Sequence, residues 1–212
     1  MHSHTPVLLD EVLQFLDPQA GGRFIDATLG AGGHAAAILE RTAPDGRMLL
    51  IDQDAEAIGL ARESLALYQS RTVFVQANFS EIADVASAEG FLSVDGILAD
   101  LGVSSMMLDQ AERGFSFQSD GPLDMRMDRR QALTAADIVN YSRERELADL
   151  IFQLGEERRS RPIARAILAS RPHHSTRDLV QAIESVTGKP RFGKIHPATR
   201  TFMALRLAVN RE

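Results

Sequence analysis

The sequence predicts an α/β fold over its first half, a parallel sheet flanked by helices, followed by an all-α half. Three observations carry this. Short apolar, β-branched runs alternate with helix-period segments over residues 23–101, the pattern of parallel strands joined by right-handed crossovers. After Ser105 strand patterns stop and helical periodicity remains. The first strand runs into Gly30-Ala31-Gly32-Gly33, where glycines permit positive φ and let a ligand approach backbone N–H groups at the start of a helix.

Taken in order, residues 5–16 form an entry turn and a short amphipathic helix with Leu9, Val12, Leu13 and Leu16 on one face. Residues 23–29 are the first strand. The helix after the glycines carries Ala35, Ile38 and Leu39 and ends near Pro44-Asp45-Gly46. Residues 47–52 form a second buried strand ending in an acid, and Asp54 caps a helix over residues 55–67. A third strand spans residues 72–77 and a fourth residues 94–101, so about four strands are present. In the second half, a Thr134-x-x-Asp137 box opens a helix, and another runs through Leu147, Leu150, Ile151 and Leu154 to Gly155. A third starts around Pro162, and a fourth follows a Ser175-x-x-Asp178 box to Gly188. A basic loop over residues 189–196 leads to a last helix through Phe202, Leu205 and Val209.

At 212 residues, 44% hydrophobic and 25% charged, the chain has the balance of a soluble globular protein of one or two domains. No apolar run approaches the roughly 20 residues that span a bilayer, and Asp10 and Glu11 interrupt the apolar N-terminal run, so no membrane and a cytoplasmic location are the expectation. With no cysteine, disulfides and thiolate metal sites are excluded, and no metal site is expected. The net charge of −6 hides an asymmetry: residues 1–107 hold 5 Lys+Arg against 15 Asp+Glu, residues 108–212 hold 18 against 14. An acidic half joined to a half that meets a polyanion is one reading, and solvated Arg/Glu helix faces are the other.

The four strands end in Asp26 and the glycine turn, Asp52, Asn78-Phe79 and Asp100, and open parallel sheets bind ligands outside those ends. Gly30-Ala31-Gly32-Gly33-His34-Ala35 fits G-x-G-x-x-G/A with Asp52 20 residues beyond Gly32, so a nicotinamide-dependent oxidoreductase is a serious rival. Asp26 argues against a pyrophosphate, which its carboxylate repels. It suits the ammonium and sulfonium of S-adenosylmethionine instead. Asp52 is placed to accept both ribose hydroxyls, Asn78 to bond adenine and Phe79 to lie on its face. Each residue alone has a plainer reading: a paired strand-end acid, a helix cap, a core ring.

Longer matches follow the same order along the chain. They include His4-x-Pro6-Val7-Leu8-Leu9, Asp26-Ala27-Thr28-Leu29-Gly30-x-Gly32-Gly33-His34 and Asp52-x-Asp54. Further on stand Asp100-Leu101-Gly102-Val103-Ser104-Ser105, Arg113-Gly114-Phe115-Ser116-Phe117, Pro122-Leu123-Asp124-Met125-Arg126-Met127-Asp128 and His196-Pro197-Ala198-Thr199-Arg200. On these motifs the sequence resembles the ribosomal RNA small-subunit methyltransferase H family, which methylates N4 of a cytidine in the decoding region of small-subunit (16S) ribosomal RNA. The resemblance implies a Rossmann-like, S-adenosylmethionine-dependent methyltransferase domain, residues 1–107 plus 198–212, interrupted by an inserted all-α RNA-binding domain, residues 108–197. It implies cofactor contacts at Gly32, Gly33, His34, Asp52, Phe79 and Asp100, to which Asp26, Gly30 and Asn78 are added from the residues themselves. Met107 stands where the family places a glutamine at the cofactor. The family continues beyond Glu212 into further strands, so a C-terminally truncated form with an exposed sheet edge or apolar face beside the fourth strand is expected.

Asp100 is the candidate catalytic residue, accepting the amine hydrogens of the cytosine; a pure cofactor-binding role is the alternative. Phe115, Phe117 and Arg126 are candidates to stack on or clamp a base presented out of its stack. Arg158, Arg159, Arg161, Lys189, Arg191, Lys194 and Arg200 are candidates for phosphate contacts. Expected partners are small-subunit ribosomal RNA and the 30S particle, with a homodimer left open. The non-enzyme rival is an RNA-binding or assembly protein that has lost catalysis.

Overall fold

A computed structural model describes residues 6–190 and 192–212, with Ser105 described through its backbone alone. His4 and Arg191 therefore lie outside the described residues. The chain divides into two compact units, Met1–Gly102 and Val103–Glu212.

The first unit runs α1 (Leu9–Leu16), β1 (Arg23–Asp26), α2 (Gly33–Arg41), β2 (Arg47–Asp52), α3 (Ala55–Ser64), β3 (Thr72–Gln76), α4 (Ile82–Ala88) and β4 (Gly96–Leu98). The strands are all parallel in the order β3-β2-β1-β4. Successive side chains leave a strand on opposite faces, and both faces are covered. Phe24, Met48 and Leu50 pack with Leu13, Ile38, Leu39 and Ile58, while Ile25, Leu49 and Ile51 pack with Ala86 and Phe91. Burial on both sides explains why RMLLID reads as a continuous apolar run rather than an alternating one. This is a Rossmann-like α/β fold.

Several boundaries differ from the sequence expectation. β1 stops at Asp26, after which the backbone swings into the turn while Ala27 N–H still donates to Leu98 O and Leu29 N–H to Ile51 O. α3 ends at Ser64 and passes into a 3₁₀ turn, Ala66–Arg71. β4 has three residues instead of eight; among the described residues it pairs with β1 alone, and Ile97 is 53% exposed. Gly96 is needed there, since a Cβ would lie 2.8 Å from Leu16 and 3.0 Å from the Phe24 ring. α4, which covers the second face of the sheet, was not expected from the sequence at all.

The second unit is helical: α5 (Ser105–Asp109), α6 (Ala135–Tyr141), α7 (Glu144–Gly155), α8 (Ser160–Ala169), α9 (Thr176–Thr187) and α10 (Thr199–Asn210). Leu147, Ile151, Ile163, Ile167, Leu179 and Ile183 form its centre. Both capping boxes are made: Thr134 accepts from Asp137 N–H and Ser175 from Asp178 N–H, with each aspartate reaching back to its cap. Residues 198–212 were expected to pack with the sheet. Instead Phe202, Leu205 and Val209 of α10 enter the helical core, and a Cβ on Gly155 of α7 would lie 2.4 Å from Arg200 O. That close approach of two helices puts α10 in the helical unit.

The loop over residues 114–128 is organised by two buried polar groups that sequence reasoning missed. Arg113, 2% exposed, donates to the carbonyls of Arg126 and Met127. Asn210 Oδ1 accepts from Met127 N–H at 2.7 Å and its Nδ2 donates to Met125 O at 2.8 Å. Buried polar groups need such partners.

Candidate functional site

The sheet order reverses beside β1: the chain moves from β1 through β2 to β3 on one side, and β4 lies on the other. Ligands of open α/β sheets bind at such a switch point, outside the carboxyl ends of the strands. There the register sets the end of β1, Asp26, level with Leu50 and Leu98, leaving Asp52 and Asp100 just beyond. Three carboxylates thus gather on one end of the sheet, and none of them forms an ion pair among the described residues.

Asp26 is 1% exposed, and Thr28 N–H donates to its Oδ1 at 3.1 Å. Burial, opposed by that hydrogen bond and reinforced by the charges of Asp52 and Asp100, raises its pKa from 3.8 to about 7. Asp52 is raised too, chiefly by burial. Its Oδ2 accepts from Gly30 N–H and its Oδ1 from Asp54 N–H, both at 2.8 Å. The carboxylate placed for a ribose therefore also ties β2 to the glycine turn, with the Gln53 backbone N–H directed at it as well. Asp100 is exposed, and its backbone N–H donates to Thr28 Oγ1 at 2.6 Å, fastening the end of β4 to the same turn.

In that turn Gly30 and Gly32 have φ of 52° and 83°, values that favour glycine. Gly33 is different: a Cβ there would lie 2.5 Å from Pro6 Cγ. His34 donates from Nε2 to Val7 O at 2.9 Å. Two residues expected to face the cofactor thus hold the Pro6-Val7 segment against the turn. Asn78 caps the 3₁₀ turn Phe79–Glu81, its Oδ1 accepting from Ser80 N–H and its Nδ2 donating to Gln53 Oε1. That local network occupies the amide expected to read adenine. Phe79 is half-buried beside it.

Other expected site residues serve the helical fold. Met107 is 6% exposed within the helical core, so its thioether is a packing group of that core. Phe115 is buried in the same core and cannot stack on a base. Phe117 is half-buried, its ring 4.6 Å from His196 and 4.9 Å edge-on to Phe202. Arg126 grips Asp124 with two hydrogen bonds, 2.7 and 2.9 Å, and donates to Gln131 O. Burial raises the Asp124 carboxyl, but the guanidinium outweighs this and its pKa is lowered. Arg126 is thus a loop brace rather than a base clamp.

Of the basic residues, Arg158, Arg159, Lys189, Lys194 and Arg200 are exposed. Arg159 donates to Val186 O and Thr187 O at the end of α9, and Arg200 to Glu156 O at the end of α7. Arg159 thus joins the start of α8 to the end of α9 and Arg200 the start of α10 to the end of α7, while Lys189 and Lys194 belong to the loop that leaves α9 for α10. No helix among the described residues is long and apolar enough to cross a membrane, and no group of three His, Asp or Glu there could hold a metal ion.

The sheet, its switch point and the acids at the strand ends define a Rossmann-like cofactor domain. A family model described as the MraW methylase family matches residues 1–212, and the chain belongs to that family. Its relatives include "Ribosomal RNA small subunit methyltransferase H" of Dehalococcoides mccartyi, 52% identical over 211 residues, covering 100% of this chain and 60% of that protein. The protein of the same description in Syntrophobacter fumaroxidans is 51% identical over 213 residues, covering 99% of this chain and 67% of its own length. The chain thus spans about three fifths to two thirds of these relatives. A solved structure described as a putative rRNA-methylase from Clostridium thermocellum aligns with a TM-score of 0.39 at 17% identity, over 47% of this chain and 54% of that one. S-adenosylmethionine, the cofactor expected from Asp26, is the methyl donor of the methylase family.

Proposed function

We propose that this chain carries the cofactor-holding and RNA-holding parts of an S-adenosylmethionine-dependent methyltransferase acting on N4 of a cytidine in the decoding region of small-subunit ribosomal RNA. The observation that carries the reading is the buried Asp26, with one N–H donor, no cation paired to it and two further carboxylates nearby. Such a site is electrostatically incomplete. A ligand bringing an ammonium and a sulfonium completes it, whereas a pyrophosphate adds charge of the wrong sign. Membership of a methylase family and the identity to ribosomal RNA methyltransferases support the substrate class.

When bound, the cofactor supplies a methyl group on a positively charged sulfur. Asp26 would hold its cationic groups, Asp52 would accept from ribose hydroxyls with what its backbone donors leave free, and Gly30 and Gly32 would let the backbone turn closely enough to admit it. Asp100, exposed beyond β4, accepts the hydrogens of the exocyclic amine, whose lone pair is otherwise delocalised into the cytosine ring. The helical unit holds the RNA strand.

A labelled-methyl assay on small-subunit particles with the wild type and Asp100→Asn, beside calorimetric titration with S-adenosylmethionine and NAD, tests this. Binding of the first cofactor alone, and transfer lost in the variant, is the expected result. Binding of NAD, or unchanged turnover in Asp100→Asn, overturns it. RNA binding without any transfer supports the assembly reading.

A further inference from the structure

Two phenylalanines of the helical unit are left in solvent: Phe152 on α7, 57% exposed, and Phe192, fully exposed in the basic loop. Neither was singled out by its sequence context. Both belong to the corner where the ends of α7 and α9 meet the start of α10. Phe152 lines a shallow depression of about 640 Å³ with Gln153, Glu156, Arg158 and Arg200. Arg159, next to Arg158, binds the last carbonyls of α9, from which the Phe192 loop departs.

That loop is fastened at both ends. Gly188 N–H donates to Glu184 O at 2.8 Å. At the other end His196 Nδ1 accepts from Ala198 N–H, so its Nε2 carries the proton and faces Glu184 Oε1 at 3.4 Å. Its ring also packs on Phe117. Phe192 is therefore presented from an anchored loop.

The surrounding charge decides what this corner meets. Arg158, Arg159, Arg200, Lys189 and Lys194 form no ion pair among the described residues; of the two acids beside them, Glu157 Oε1 accepts from Arg159 N–H, while Glu156 takes Arg200 through its backbone carbonyl, so the five cations outnumber the one carboxylate left over there. Protein–protein interfaces are depleted of lysine around their aromatic anchors, whereas single-stranded nucleic acid sites interleave aromatic rings with unpaired cations. Resting on the reading of the chain as part of a ribosomal RNA methyltransferase, we infer that Phe152 and Phe192 are base-stacking residues of a single-stranded RNA site at this corner, with Arg158, Arg200, Lys189 and Lys194 on the phosphates.

The test is fluorescence anisotropy of the full 212-residue chain with a labelled single-stranded RNA of about 12 nucleotides, within the span of known single-strand sites. Phe152→Ala and Phe192→Ala are each expected to weaken binding about tenfold, which is ~1.4 kcal/mol. Phe→Trp at either position should restore it, since tryptophan also offers a stacking face, while Phe→Leu should not. Unchanged melting temperature and S-adenosylmethionine affinity will show that folding and the cofactor site are intact. Alanine variants that bind like a competent wild type, or leucine variants as good as phenylalanine, overturn the stacking assignment while leaving the methyltransferase reading in place. A wild type that binds no RNA while still binding the cofactor overturns the stacking site and the RNA substrate together.

Discussion

Replacing Asp26 with asparagine separates what this residue does for the fold from what it does for a ligand. The carboxyl is 1% exposed with a pKa of about 7, against an ordinary 3.8. The folded pKa lies above the unfolded one, so the stability contributed by the protonated acid is fully present below pH 3.8 and lost as pH rises to about 7. At 1.36 kcal/mol per pH unit the loss is ~1.6 kcal/mol at pH 5 and levels off at ~4 kcal/mol by pH 8. Asparagine keeps an Oδ1 for Thr28 N–H and never ionises, so Asp26→Asn should stabilise the ligand-free chain, and more at pH 8 than at pH 5. Even ~2 kcal/mol raises the melting temperature of a unit of this size by roughly 8 °C. Paired calorimetric melts at the two pH values measure it. Calorimetric titration should show the opposite effect on function, with S-adenosylmethionine affinity lost. A variant no more stable than wild type at pH 8, or one gaining equally at both pH values, refutes the burial argument. One that binds the cofactor undiminished refutes the cation assignment.

Three further outcomes follow from the same structure. A cationic ligand favours ionised Asp26, so wild-type affinity for S-adenosylmethionine should rise about tenfold from pH 6 to pH 8, with proton release seen by titration in two buffers; a flat profile counts against it. Gly33→Ala sets a Cβ against Pro6 and should displace the N-terminal segment, exposing Val7 and Leu8 to faster proteolysis at a cost below about 1 kcal/mol in global stability; unchanged cleavage rates would show that the contact is idle. Asn210→Ala withdraws hydrogen bonds from Met127 N–H and Met125 O in a buried loop, and urea melts should show a loss of about 2–4 kcal/mol; a loss under about 1 kcal/mol would mean that water or rearrangement replaces them.

β1 and β2 were legible because burial on both faces writes them as apolar runs, and the helix starts because capping boxes such as Thr134–Asp137 are short-range and need only spacing. α4 escaped notice because seven residues, IADVASA, hold too little periodicity to be distinguished from loop; its existence is set by the face of Ile25, Leu49 and Ile51 that it covers. The loop over residues 114–128 failed for the opposite reason. Its rings look like a ligand clamp locally, but Phe115 and Phe117 pack with Phe202 and the α10 core, and Asn210, some 83–85 residues away, holds the loop backbone at Met127 and Met125. Nothing in a Gly-Phe-Ser-Phe motif states which way its rings face.

Charge is where the two kinds of information meet. The first half of the sequence is strongly acidic, and the fold gathers Asp26, Asp52 and Asp100 onto one end of one sheet instead of dispersing them. A domain selected for stability alone would neutralise that end, since burying an unpaired carboxylate costs free energy that asparagine avoids. Retaining it makes sense when a ligand supplies the missing positive charge, because the penalty carried by the free protein is then returned as affinity on binding. The hydrogen bonds from Gly30 and Thr28 hold the glycine turn against two of these acids, so the turn is pinned by the groups that give this end of the sheet its charge.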